Sequence, residues 1–542
     1  MFERRNLPVS KKIILALLVA ALLGAILAVF PGCGETNPVA QTKLGKVQGL
    51  VGPQGILSFE GIPYARPPVG ELRWKPPQPP EPWSGTLMAT EYGPVAPQTV
   101  DALEPSSQLE QSEDCLSLNV WTPGIDGKRR PVMVWIHGGG WINGSSADES
   151  YEGWPTSKRG DVVVVSMNYR LGALGFLYLG RVGGPQYAES GNLGILDQEA
   201  ALKWVRDNVA AFGGDPGNVT TFGESAGSMS VCTLMSMQSA RGLFHRAIGE
   251  SGALNTIRSV GYASEVTNRF MSMAGVTDMA GLQSLTTEQI VKAQGDLMAA
   301  QFQADTLFGP VVDGTVLPEP PLHAIASGSA KDVDFLTGTN LDEVRLWAFY
   351  IPGLLEIPIQ TAAQYVPMLS KSLGAYVDTI AASYKSRRPD ATDGDITMAV
   401  GTDVMFRVPA IRVAEAQSAK QPKTYMYLFT WPTPVQGGIY GSCHSLELFF
   451  VLNNLHAGDS VAVLGNNPPQ KLADMMQDSW IAFAKTGNPN NKSVPDWPAY
   501  NTQTRATMIF NVNPSVQNDP YGEDRRVWYA IPFDSVIPSP SF

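Results

Sequence analysis

Short, unbroken apolar runs recur along the chain, and stretches with helical spacing lie between them. The runs at 131–136 and 161–166 are rich in Val and do not alternate with polar residues. Such continuity is expected of strands buried on both faces of a mostly parallel sheet, because an exposed face would impose a period of two. Residues 333–337 and 424–429 read as later strands, and 218–222 as a strand running straight into Gly223. Between these strands, 196–206 places Leu196, Ala200 and Trp204 on one helical face. Strand, helix and strand in alternation predict an α/β fold, its sheet parallel at the centre and flanked by helices.

No repeat, low-complexity tract or long polar linker interrupts the pattern beyond the N-terminus, so residues 40–538 read as one large domain. The 42 Pro and 53 Gly suit ordered loops rather than disordered tails. The first 34 residues differ in kind. Arg4, Arg5, Lys11 and Lys12 precede an uncharged, almost wholly apolar run at 13–30. That layout predicts a secretory signal peptide, and the run is also long enough for an uncleaved membrane anchor. Either way the protein is expected to be exported: periplasmic, extracellular or membrane-anchored. Cys33 follows in a Phe-Pro-Gly-Cys context that loosely resembles a bacterial lipoprotein box, which Phe30 and Pro31 fit poorly.

Charge removes one class of partner. With 39 basic and 50 acidic side chains the net charge is −11, and no basic run follows the first dozen residues, so nucleic acid is not expected. Cys33, Cys115, Cys232 and Cys443 are too few for a disulfide scaffold and lack metal-ligand spacing. Neither a metal nor a cofactor is indicated.

The chemistry concentrates around Gly223-Glu-Ser-Ala-Gly227, a G-x-S-x-G pentapeptide placed directly after a strand and before an apolar stretch. A serine on so sharp a turn holds strained backbone angles, and its neighbours two positions away must lack a Cβ. The plain alternative is a helix-entry turn capped by Ser225. His137-Gly-Gly-Gly-Trp141 follows the 131–136 strand. Consecutive glycines there let backbone N–H groups converge, and Ala226, the residue after the serine, completes an oxyanion hole of that type. Of the histidines His137, His245, His323, His444 and His456, the chain order nucleophile, acid, base leaves His444 and His456, and His444, on a loop after the 424–429 strand and Gly437-Gly438, suits the role better. His456 suits the surface. The strand at 333–337 leads to both Asp342 and Glu343 as the acid, and the residues alone do not choose between them.

A set of motifs in fixed order then narrows the reading: Phe59-Glu-Gly-Ile-Pro-Tyr-Ala65, Glu113-Asp-Cys-Leu-Ser-Leu-Asn-Val120, the His137 loop, Asn168-Tyr-Arg170, Gly191-Asn-Leu-Gly-Ile-Leu-Asp-Gln198 and Phe212-Gly-Gly-Asp-Pro216. From Thr42 to Pro538 the chain resembles the type-B carboxylesterases, a family that includes cholinesterases and bacterial para-nitrobenzyl-type esterases. The resemblance implies the α/β-hydrolase fold, with long loop and helical insertions around the active site. It implies Ser225 as nucleophile, Glu343 as acid and His444 as base, with Gly139, Gly140 and Ala226 forming the oxyanion hole. Glu224 and Ser251 match positions that support the site from behind. Many relatives pair the cysteine of the Glu-Asp-Cys motif with one in a Cys-Pro-Gln context. Here that context reads Ala96-Pro97-Gln98, so Cys115 is expected to be a buried thiol and no disulfide is expected.

The expected activity is hydrolysis of short- to medium-chain or aryl carboxylic esters through an acyl-enzyme, on a small-molecule substrate. Lipase, carbamate or amide hydrolysis would use the same apparatus, and a non-catalytic adhesion protein is the reading from a different class. His444 must be neutral to act, so activity should rise with pH through the imidazole reference of about 6.5. Trp141, Trp347, Phe349, Phe449 and Phe450 could line an apolar entrance or belong to the core. Sequons at Asn143, Asn218 and Asn491 are expected to be bare. Oligomeric state is left open.

Overall fold

Successive side chains on a strand point to opposite faces, so an unbroken apolar run needs a covered surface on both sides. The computed structural model describes residues 37–100, 108–254, 257–300, 307–349, 353–359, 361, 376–458 and 460–531. The leader read at 1–34, with Cys33, lies outside them. Residues Val39–Phe542 form one compact unit, and the apolar runs assemble there into an eleven-stranded sheet. Its strands, in chain order, are β1 (Leu50–Val51), β2 (Leu57–Pro63), β3 (Ser117–Thr122), β4 (Arg130–Ile136), β5 (Val163–Met167), β6 (Gly214–Glu224), β7 (Arg246–Glu250), β8 (Asp334–Asn340), β9 (Thr424–Phe429), β10 (Ala506–Phe510) and β11 (Ser515–Asn518).

The spatial order is β11-β10-β9-β8-β7-β6-β4-β5-β3-β2-β1. From β10 to β5 every neighbour is parallel. The outer pairs β10–β11, β5–β3, β3–β2 and β2–β1 are antiparallel. Two smaller sheets join Val39–Gln41, Lys46–Gln48 and Thr86–Met88, and Arg258–Ser259 with Val311–Val312.

Both faces are covered, as the runs require. Val132, Val134 and Ile136 of β4 enter one core, and Met133 and Trp135 enter the other. Helices α1 (Leu193–Asn208) and α2 (Ala226–Ser236) supply Leu202, Val205, Val231 and Leu234 to the first. A smaller third core joins α3 (Val377–Arg387) and α4 (Asp393–Thr402) through Ile380, Tyr384 and Val400. Helix α5 (Val408–Ser418) returns to the first core with Ala410 and Ala414, and α6 (Gln470–Thr486) fills the second with Met476, Trp480 and Phe483. Helix α7 (Gly522–Tyr529) adds Trp528 to the third.

Element boundaries shift where polar residues are structural. Strand β6 begins at Gly214, four residues before the run at 218–222, because Gly214 pairs with Arg130 across a bulge. Strand β8 runs on to Asn340 because its polar end is buried and bonded, with the Thr337 hydroxyl donating to the Gly249 carbonyl at 2.8 Å. Strand β5 starts only at Val163, since Asp161 ends the preceding helix with φ of 46°. The helix read at 196–206 extends to Leu193–Asn208.

Phe222, wholly buried on β6, packs against Trp135 with ring centroids 4.9 Å apart. Phe222→Ala should therefore destabilise the fold by about 3–5 kcal/mol, read as a lower urea midpoint at unchanged slope. A loss below about 1 kcal/mol would mean that the second core closes over the gap.

Candidate active site

Strand β6 ends at Glu224 and α2 starts at Ala226, so Ser225 alone makes the turn, with φ 54° and ψ −122°. Such angles are costly for a residue with a Cβ and persist only where the surroundings fix them. Here the Ser225 N–H donates to the Glu250 carbonyl at 2.9 Å, and the Met229 N–H donates to the Ser225 carbonyl at 2.9 Å. A Cβ on Gly223 would stand 2.5 Å from the Ile136 carbonyl oxygen, and one on Gly227 2.1 Å from it. Both flanking glycines of the pentapeptide are thus required by the close approach of β4. The Ser225 side chain is half-exposed at the α2 N-terminus.

The glycine loop leaves β4 against this turn. A Cβ on Gly138 would lie 3.2 Å from the Ser225 Cβ. Gly139, Gly140 and Trp141 have φ of 92°, 61° and 60°, and the Ile142 and Asn143 N–H groups close the loop on the Gly139 carbonyl at 3.0 Å. The N–H groups of Gly139, Gly140 and Ala226 have no backbone acceptor among the described residues. His137 shapes the loop from inside. It is buried, stacks on Tyr169 at 4.4 Å, and contacts the Gly138 carbonyl through Nδ1 at 2.9 Å. Burial lowers its pKa to about 4, so it is neutral and structural.

Glu343 and His444 come from beyond the ends of β8 and β9. Glu343 opens a short 3-10 turn after β8, and His444 lies in the loop that follows β9. His444 Nδ1 is 2.7 Å from Glu343 Oε2, while the Asn340 N–H donates to Glu343 Oε1 at 2.7 Å. Of Asp342 and Glu343, it is Glu343 that contacts the imidazole. Asp342 exchanges hydrogen bonds with the backbone of Ser442 and so pins the histidine loop rather than the ring.

The other face of the imidazole meets Glu224. His444 Nε2 is 3.2 Å from Glu224 Oε1, which also accepts from the Ser445 hydroxyl at 2.8 Å. Ser251, at φ 50°, donates to Glu447 Oε1 at 2.8 Å, and Asn340 Nδ2 donates to the other Glu447 oxygen. Trp480 Nε1 donates to Glu250 Oε1 at 2.9 Å. Asn340, Ser445, Glu447 and Glu250 were not singled out from sequence. For two of them the signal there is spacing: Asn340 stands three residues before Glu343, and Glu447 three after His444.

Burial dominates the charges. It pushes the Glu224, Glu250 and Glu447 carboxyls up, and mutual repulsion adds to it. Burial alone would lower His444, but the Glu224 charge and then the Glu343 hydrogen bond outweigh it and raise the imidazole to about 9. The shift is upward from the reference value near 6.5, because two carboxylates stand beside one ring.

Of the aromatics considered for an entrance, Trp141 is core, its Nε1 donating to the Ser230 hydroxyl at 2.9 Å. Phe450 is core and Phe449 partly buried. Trp347 is half-buried and stacks on His444 at 5.5 Å. The Phe349 side chain lies outside what is described. His456 is exposed, and Cys115, Cys232 and Cys443 are buried free thiols. Among the described residues no helix is long and apolar enough to cross a membrane.

Comparison with known proteins identifies the family. Residues 36–528 match the model of the carboxylesterase family. The para-nitrobenzyl esterase of Bacillus subtilis is 41% identical over 501 residues, covering 91% of this chain and 98% of that protein. Phenmedipham hydrolase of Pseudarthrobacter oxydans is 34% identical, covering 88% and 95%. The crystal structure of a Geobacillus stearothermophilus carboxylesterase superposes with a TM-score of 0.81 at 39% identity, covering 90% of this chain and 99% of that one. The chain therefore belongs to the carboxylesterase family and is a serine carboxylic-ester hydrolase of the α/β-hydrolase fold.

Proposed function

We propose that Ser225 is the nucleophile, His444 its general base and Glu343 the acid that orients the base. The N–H groups of Gly139, Gly140 and Ala226 bind the oxyanion. The observation that carries this reading is the left-handed turn at Ser225, which lies against the glycine loop and follows the carboxylate that touches His444 Nε2.

Ser225 Oγ gives its proton to His444 Nε2 as it attacks the ester carbonyl carbon. The carbonyl oxygen becomes anionic in front of the three N–H groups, at a helix N-terminus that favours negative charge. Glu343 accepts the Nδ1–H, which fixes the tautomer and stabilises the imidazolium. That imidazolium then protonates the departing alcohol. Water, deprotonated by the same nitrogen, releases the acid from the acyl-enzyme and returns the proton to Ser225. Short- to medium-chain and aryl esters are the proposed substrates, in keeping with relatives named para-nitrobenzyl esterase and carboxylesterase.

The direct test is turnover of para-nitrophenyl esters from acetate to palmitate beside Ser225→Ala. The substitution should reduce kcat by at least about 10³-fold without changing the unfolding midpoint. Retained turnover would remove Ser225 from the mechanism, and a maximum at palmitate would favour a lipase.

The pH profile tests the base. Only neutral His444 accepts a proton, so log(kcat/KM) should climb with pH along a limb above about 6.5 and toward the elevated imidazole value. Glu224→Gln removes a charge that stabilises the imidazolium, so the limb should move to lower pH. A limb that stays in place in Glu224→Gln would separate Glu224 from the titration.

We also propose that residues 1–34 direct export, on the strength of the basic cluster followed by the uncharged run. Fractionation of a bacterial host should find the full chain outside the cytoplasm and a chain lacking 1–34 inside it. Equal distribution of the two would reject the signal.

A further inference from the structure

Helices α4 and α5 run on from one another without a break in helical backbone angles. Between them Asp403–Arg407 forms a single π-turn. Pro409, in the first turn of α5, has no N–H to give the Met405 carbonyl, and its ring would clash with the preceding turn, so the chain widens there. Each extra residue in a helix rotates the face it presents by about 100°. The widened turn carries Phe406, nearly fully buried, and the Phe406 and His444 ring centroids are 4.6 Å apart. Trp347 lies 6.0 Å from Phe406 and 5.5 Å from His444, so the three rings form one cluster.

The turn is braced on every side. Arg407 Nε pairs with Asp403 at 2.7 Å, and the Tyr384 hydroxyl bonds the same carboxylate. Trp528 Nε1 donates to the Tyr384 hydroxyl at 2.7 Å. Asp524 of α7 is held by Arg387 and Arg388 of α3 at 2.5 Å. The Val344 N–H reaches the Thr402 hydroxyl at 3.3 Å, tying α4 to the 3-10 turn that bears both Glu343 and Trp347.

We propose that Phe406 is a positioning residue which, with Trp347, holds the His444 ring against Glu343 and favours the protonated ring that forms when it takes the serine's proton. The inference rests on His444 being the base. An aromatic face stabilises a cation set against it, more so away from water. The groups facing His444 are Glu224 from β6, Glu343 from the 3-10 turn and Glu447 from its own loop. Asp403 and Arg407 on the π-turn are paired with each other.

The experiment compares the full chain with Phe406→Leu, Phe406→Tyr and Trp347→Leu, following para-nitrophenyl butyrate hydrolysis from about pH 6 to about pH 10. Phe406→Leu should lower kcat about 10-fold, leave KM within about twofold, and move the acid limb down by up to about one pH unit. Phe406→Tyr should restore both, because it keeps the ring face. An unmoved limb with unchanged kcat in Phe406→Leu overturns the proposal. So does an equal loss in the Leu and Tyr variants that follows a lower unfolding midpoint. If Phe406→Leu does not fold, Trp347→Leu at the half-exposed position must shift the limb in the same direction, and an unmoved limb there overturns it. Labelling of each protein by an aryl phosphonate keeps the two readings apart. A wild-type chain unlabelled at Ser225 refutes the triad on which the inference rests, whereas stoichiometric labelling with unmoved kinetics in the variants refutes only the role of Phe406.

Discussion

A Cβ atom at Gly227 would stand 2.1 Å from the Ile136 carbonyl oxygen, and one at Gly223 2.5 Å from the same atom, so the turn around Ser225 closes only on bare backbone. Much of the site depends on that contact. It lets β6 and α2 meet the end of β4, and β4 is the strand that delivers the glycine loop. Were the two backbones held one side chain apart, the Gly139 and Gly140 amides would stand well back from the serine. The strain at Ser225 is therefore not a local defect. It is carried by the Glu250 carbonyl, which fixes the Ser225 N–H, and by the Gly252 position, where a Cβ would meet the Ser225 carbonyl at 2.4 Å.

Among the described residues, four carboxyl groups, Glu224, Glu250, Glu343 and Glu447, all almost wholly buried, gather behind this rigid turn with the His444 imidazole. Burial pushes the Glu224, Glu250 and Glu447 carboxyls up, and repulsion from neighbouring carboxylates adds to it. What distinguishes Glu343 is its set of donors: the Asn340 N–H on one oxygen and the imidazole on the other. Glu250 has a single one, Trp480, and its second oxygen is unpartnered among the described residues. Glu447 is bonded by Ser251 and Asn340, so its place is to hold the strand end that carries the acid. An imidazolium between Glu343 and Glu224 balances charge that the protein interior would otherwise bear uncompensated.

The parts of this arrangement legible in sequence are those with a backbone signature. Residues 131–136 stood out because Val132 and Val134 face one core while Met133 and Trp135 face the other. The elbow and the loop stood out because close approach and positive φ demand glycine. The antiparallel outer strands β1–β3 and β11 were not foreseen, since short or mixed runs such as Ser515–Asn518, exposed on most residues, look like loop. Glu343 could be separated from Asp342 only by resemblance, because both follow β8 and differ only in where the side chain points. Glu447, Asn340 and Ser251 work through contacts across 107 and 196 residues, and no local pattern records such a meeting. The π-turn was equally silent, although Pro409 is its local cause.

The parallel centre of the sheet explains why elements so far apart in sequence can cooperate. Parallel strands end on the same edge, and active sites of open α/β sheets gather outside their carboxyl ends. Here β4 releases the glycine loop, β6 Ser225, β7 Ser251, β8 Glu343 and β9 the loop with His444. Each strand contributes one component at a height set by its register with the next: Glu224 is level with Glu250, and Glu250 with Gly338. A slip of one residue in β8 would move Glu343 along the strand axis by about 3.3 Å, enough to break its hydrogen bond to His444. The buried polar ends of β7 and β8, with Thr337 bonded to Gly249 and Asn340 to the Cys443 carbonyl, resist that slip. The same residues that blurred the strand boundaries in the sequence therefore keep Glu343, His444 and Ser225 in register.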